Sequence, residues 1–189
     1  MNRRKYLNLI PNLFTFANLL LGLMSILLLV QTEHPNKTFI VSALILLGGA
    51  ADFFDGYFAR RLNAVTDFGK QMDSFADIIT FGIAPVGLMN YLFTCNHKIP
   101  ILAASALYLA AGAYRLARFN LGDFKDHFVG LPIPVAGILL TFYSVAYPAW
   151  SANVHSIVCT AITIVVIVLL AMLMVSRQKI KRIRLKKKI

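Results

Sequence analysis

Residues 52–77 read DFFDGYFARRLNAVTDFGKQMDSFAD, five aspartates in 26 residues. The segments on either side are hydrophobic enough to cross a bilayer, where burying charge is costly. How this stretch is read therefore decides the topology: one span ends in it and the next begins. Asp52 and Asp55 are three residues apart, and Asp73 and Asp77 are four apart. On a helix either spacing puts both side chains on one face, with β-carbons within ~6 Å of each other. The loop between the two spans is short, so the pairs should face each other at the membrane boundary. Asp67 falls outside both pairs and is expected in the loop.

Outward from there, the chain has 189 residues, 58% of them hydrophobic, and a mean hydropathy of +0.69. A soluble domain of this size has too little core to hide so much apolar surface, whereas a membrane helix needs ~20 mostly apolar residues. Helical spans are predicted near 11–30, 38–58, 73–94, 99–117, 132–150 and 154–175. The expected fold is all-α, a polytopic membrane protein of six transmembrane helices with a short N-terminal interfacial helix in MNRRKYLNLI. Residues 1–175 form one membrane domain and 176–189 a basic tail. Pro11, Pro100 and Pro132 suit first-turn positions, and Gly82 with Pro85 should bend the third span. The basic start and apolar run lack a small-residue cleavage site, so the first span is read as retained. Cys95 and Cys159 make neither a disulfide framework nor a metal motif.

Charge sets the orientation. With six spans, 17 of the 19 Lys and Arg lie on one side, in residues 1–10, 59–72, 115–131 and the tail, leaving Lys37 and Lys98 opposite. By the positive-inside rule both termini are cytoplasmic. The net charge of +11 thus reflects topology rather than a nucleic-acid partner, and the tail can also lie along an anionic leaflet.

Four carboxylates cannot stay ionised together at membrane depth without a cation. Oxygen-only donors, with no His or Cys nearby, favour a hard ion such as Mg²⁺, Mn²⁺ or Ca²⁺. Two such ions would clamp a diphosphate and stabilise entering and leaving oxygens in a phosphoryl transfer. The competing reading is a structural salt-bridge cluster with Arg60, Arg61 and Lys70. Small residues argue against it, because Gly48 to Ala51 precede the motif and Gly56, Ala59 and Gly69 sit within it, allowing close backbone approach.

The run Asp52-Phe-Phe-Asp55-Gly56-Tyr-Phe-Ala59-Arg60, then eight residues, then Gly69-Lys-Gln-Met-Asp73-Ser-Phe-Ala-Asp77, resembles the signature of the CDP-alcohol phosphatidyltransferases. The resemblance implies six membrane helices paired as a homodimer, with a two-metal site (Mg²⁺ or Mn²⁺) at the cytoplasmic side. It implies that Asp52, Asp55 and Asp73 hold the metals. Asp77 would complete the second site and take the proton from the attacking alcohol. Nucleotide contacts would come from Asp55, Gly56, Ala59 and Gly69, with Arg60 close to the phosphates.

The acceptor has to be read elsewhere. RLARFN (115–120) and FVGLPIPVAG (128–137) resemble the serine-using bacterial members of the family, as does PNLFTFANLLLG (11–22). The implied reaction moves a phosphatidyl group from CDP-diacylglycerol to L-serine and releases CMP. A guanidinium grips a carboxylate through two parallel hydrogen bonds. Arg118 is the first candidate for the serine carboxylate, Arg115 the second, and Asn120 a neutral contact. Tyr114, Phe119 and Phe128 read as interfacial aromatics and His127 as a loop residue. The alternatives are transfer to glycerol 3-phosphate, inositol or inositol phosphate, and, from another class, a divalent-cation transporter. The transporter would want polar residues in the outer halves of the spans, which are nearly all apolar. A polyprenyl-diphosphate transferase would cluster its acids more tightly and lack the Gly-x-x-Ala-Arg element.

Overall fold

The computed structural model describes residues 9–31, 34–62, 64–93, 98–121, 127–152, 154–176 and 179–181. The interfacial helix expected in the first ten residues falls almost entirely outside these, as do Cys95, Lys125 and most of the basic tail. The elements are α1 (Leu9–Gln31), α2 (Lys37–Arg61), α3 (Asp67–Asp77), a π-helical segment (Ile78–Ile83), α4 (Ala84–Leu92), α5 (Lys98–Leu121), β1 (His127–Val129), α6 (Ile133–Ser151), α7 (Ser156–Val175) and β2 (Lys179–Lys181). Among the described residues, six helices are long and apolar enough to cross a membrane, α3 through α4 counting as one. The protein is a helical, multi-pass membrane protein.

The third span is the axis of the bundle. Its most apolar window is 56% buried, against 22% for α1, and its π-helical segment touches α1, α2, α5 and α6. Where Gly82 and Pro85 are expected to bend this span, the structure has a π-helical segment at Ile78–Ile83. Pro85 has no N–H to return to the Phe81 carbonyl one turn back. That carbonyl instead accepts the Tyr108 hydroxyl at 3.0 Å. Gly137 of α6 passes so close that a β-carbon there would lie 2.5 Å from the same oxygen. A proline, a tyrosine and a glycine from three spans thus meet at one carbonyl in the core.

The second and fourth spans run on to Arg61 and Leu121, and two placements differ further from expectation. The third span begins at Asp67 rather than residue 73, because Thr66 caps it by accepting the Gly69 N–H at 3.0 Å. Asp67 is therefore not in the loop but in the first helical turn, where a carboxylate favours the helix dipole and pairs with Lys70 at 3.0 Å. His127 likewise leaves the loop for β1, whose register pairs His127 with Lys181 and Val129 with Lys179. This antiparallel ladder ties the segment before α6 to the start of the basic tail. Next to it Leu131 N–H donates to Leu173 O at 2.9 Å. Gly130 (φ +77°) packs against the end of α7, where a β-carbon would lie 3.0 Å from Ser176 O.

On the opposite side of the membrane, Lys37 is buried. It donates to the Leu29 carbonyl at 2.7 Å and lies 4.4 Å from the Tyr91 ring centroid. It closes the α1–α2 hairpin, so one of the two cations expected at this end has a packing role.

Candidate active site

The end of α2 and the start of α3 converge where the sequence places its acids. One oxygen each from Asp52, Asp55 and Asp73 lies within 4.8 Å of the others. Asp77, one turn further along α3, lines the same cleft and lies within electrostatic reach of Asp52 and Asp73. Asp55 and Asp77 are each only 6% exposed. Thr15 of α1 donates to Asp55 Oδ2 at 2.9 Å and orients that carboxyl.

This donor set suits a hard divalent cation. It is oxygen-only, converges on one point, and leaves Asp73 Oδ1 and Asp77 Oδ1 buried without a hydrogen-bond partner among the described residues. A salt-bridge cluster would instead pair these acids with nearby cations. Lys70 pairs with Asp67, the Arg61 guanidinium bonds the Tyr57 hydroxyl, and the Arg60 guanidinium folds back over Gly56.

Two recesses share the acidic floor, with Asp55, Gly56, Lys70 and Asp73 common to both. The smaller, about 100 Å³, has small-residue walls from Gly56, Ala59, Ala64 and Gly69, and is closed by Pro11, Asn12 and Thr15 of α1. A β-carbon on Gly69 would lie 3.0 Å from Thr66 Oγ1 and 3.4 Å from Asn12 Oδ1, so glycine keeps this recess open. The larger, about 300 Å³, contains Asp52, Arg60 and Asp77, and is walled by Ser74, Arg115, Phe119, Asn120, Pro132 and Pro134.

Of the residues expected to contact the acceptor, Arg115 and Asn120 line this second recess. Arg118 is half-buried on the same helix and is absent from the walls of both recesses. Arg115 is 7% exposed and its Nε has no partner among the described residues. Asn120 Nδ2 donates to Ser74 Oγ at 2.9 Å, bracing α5 against α3. Phe119, read from sequence as an interfacial aromatic, also lines the recess, its ring 6.0 Å from the Arg115 guanidinium carbon.

Sequence reasoning missed Asn12, Thr15 and Ser74. The signal for the first two was present: Asn12, Thr15 and Asn18 recur every third residue in an otherwise apolar span, a stripe down one helix face. In the half of the bundle away from the acids, Asn90 Nδ2 reaches both Ser105 Oγ and Val86 O, a polar pair satisfied inside the bundle.

Six helices able to span a membrane, with a carboxylate-floored double cleft at one end, define an integral-membrane protein whose cleft is suited to cations and charged groups. More narrowly, the chain belongs to the CDP-alcohol phosphatidyltransferase family, whose model matches residues 8–175. It is 42% identical over 143 residues to the CDP-diacylglycerol–serine O-phosphatidyltransferase of Bacillus subtilis, covering 75% of this chain and 78% of that protein. The enzyme of the same name from Helicobacter pylori is 38% identical over 137 residues, covering 71% of this chain and 56% of its own length. The archaetidylserine synthase of Methanothermobacter thermautotrophicus is 35% identical over 149 residues, covering 76% and 61%.

Proposed function

We infer that this chain transfers a phosphatidyl group from CDP-diacylglycerol to L-serine, giving phosphatidylserine and CMP. The observation that carries the reading is the double cleft: one acidic floor serves a small-residue recess on one side and an arginine-walled recess on the other. The names of the relatives support serine as the acceptor.

In this reading the cytidine nucleotide lies against Gly56, Ala59 and Gly69, with Asn12 at its edge and Arg60 near its phosphates. Asp52, Asp55, Asp73 and Asp77 would hold two divalent cations, Mg²⁺ or Mn²⁺, whose chemistry when bound is to neutralise the diphosphate and the departing phosphate. Serine enters the larger recess from the cytosol. Arg115 receives its carboxylate, a role for which it is better situated than Arg118 because it lines the recess. Asp77 takes the proton from the serine hydroxyl, which is a weak nucleophile until a base relieves it. The hydroxyl oxygen bonds to the lipid-linked phosphorus, the bond from that phosphorus to the bridging oxygen breaks, and CMP leaves. The recess holds Arg60 and Lys70 besides Arg115, so the preference for serine over a phosphorylated acceptor is supported by the names of the relatives.

The reading places the site and both termini on the cytoplasmic face of the cell membrane, supported by the one-sided distribution of Lys and Arg. It takes the homodimer from family membership. The test is purified protein given CDP-diacylglycerol and each labelled acceptor in turn. CMP release with serine supports the reading, and release with glycerol 3-phosphate but not serine overturns it.

A further inference from the structure

One turn below the acids lies a polar side chain that the reaction does not use. Asn18 is fully buried in α1, and both its Nδ2 and its Oδ1 lack partners among the described residues. Its main-chain carbonyl accepts the Thr80 hydroxyl at 3.0 Å, and Thr80 is also fully buried. Gly48 of α2 faces both: a β-carbon there would lie 2.9 Å from Asn18 Oδ1 and 2.6 Å from Thr80 Cγ2. Each member sits one helical turn deeper than a member of the acidic site. Asn18 follows Thr15, Thr80 follows Asp77, and Gly48 precedes Asp52.

An apolar residue of the same size would fill this junction without leaving a buried amide unsatisfied, a cost that native structures rarely carry without a reason. On the turn of the third span before Thr80, Asp77 Oδ1 is in the same condition, buried and without a partner among the described residues. Nδ2 only donates and an ionised carboxylate only accepts, so a molecule bridging them must accept from one and donate to the other. Water does this; a metal ion or an apolar group does not.

We propose that Asn18 is a positioning residue for the acidic site, its carboxamide anchoring a buried water that donates to Asp77 Oδ1 and holds that carboxyl toward the cleft. The proposal rests on the reading above that Asp77 serves the transfer. Supports of this kind around a ligating carboxylate typically matter ~10–100-fold in activity or metal affinity.

The experiment compares Asn18→Leu and Asn18→Ser with the wild-type full-length protein, reading melting temperature, steady-state transfer and the binding of Mn²⁺ alone. Asn18→Leu is expected to melt no lower than wild type, to lose about tenfold in kcat with KM for both substrates unchanged, and to bind Mn²⁺ about tenfold more weakly. Asn18→Ser, which keeps a hydroxyl for the water, should recover most of both losses. Wild-type kcat and Mn²⁺ affinity in Asn18→Leu overturns the proposal. So does a serine variant no better than leucine at equal melting temperature, or a change confined to KM. If wild type fails to use serine, the functional reading falls by itself, and the Mn²⁺ titration still decides the role of Asn18.

Discussion

Thr15 donates its hydroxyl proton to Asp55 Oδ2 at 2.9 Å, joining the first span to the second at the acidic floor. The same hydroxyl lies 3.2 Å from the Pro11 carbonyl, one turn back, but its single proton serves one acceptor at a time. Thr15→Val should therefore free the Asp55 carboxyl to rotate and lower transfer about tenfold, while Thr15→Ser stays near wild type. Initial rates at saturating substrate check this.

Asp77→Asn should abolish the reaction, with a loss of at least ~10²-fold, because an amide cannot take the serine proton. The variant keeps the buried volume, so its elution from size exclusion in detergent should match wild type. Near-normal turnover would remove Asp77 from the role of base.

The two arginines of α5 should separate kinetically. Arg115→Gln is expected to raise the KM for serine about tenfold or more through loss of a charge-assisted pair, with little change for CDP-diacylglycerol. Arg118→Gln should leave serine KM close to wild type. The reverse order would return the acceptor site to Arg118.

Removing divalent ions with EDTA should stop transfer, and Mg²⁺ or Mn²⁺ should restore it. Binding to the folded state also stabilises it, by roughly 2.7 kcal/mol at a hundredfold excess over Kd. A rise in melting temperature on adding Mn²⁺ should accordingly be seen in wild type and be diminished in Asp73→Asn.

Gly137→Ala tests the core rather than the site. Its β-carbon would sit 2.5 Å from Phe81 O, and main-chain atoms yield little. A loss of ~1–3 kcal/mol is expected, visible as a lower melting temperature with the KM values kept.

The spans were legible because runs of apolar residues are local. The paired acids were legible because their spacing reports one helix face whatever surrounds it. The start of the third span was missed because its first turn is polar, and Thr66 as a cap weighs little beside a hydropathy pattern. The β1–β2 ladder joins residues some fifty positions apart by backbone pairing, which no periodicity reveals. Arg115 and Arg118 share a helix face at a separation of three, and the sequence reading put Arg118 first; in the folded chain Arg115 is the one that lines the recess, because depth in the bundle is not legible from spacing.

The π-helical turn at Ile78–Ile83 carries one residue more than an α-helix would use over the same path. One end of the third span carries Asp73 and Asp77 and the other packs in the core, so this extra residue sets the angular phase between them. Deleting one residue within 78–83 would restore an unbroken helix and rotate Asp73 and Asp77 about 100° away from Asp52 and Asp55. The span would still cross the membrane, but its carboxylates would face the wrong neighbours. A chain with the full aspartate signature and one residue fewer here could be equally hydrophobic and equally well inserted, and yet be inactive.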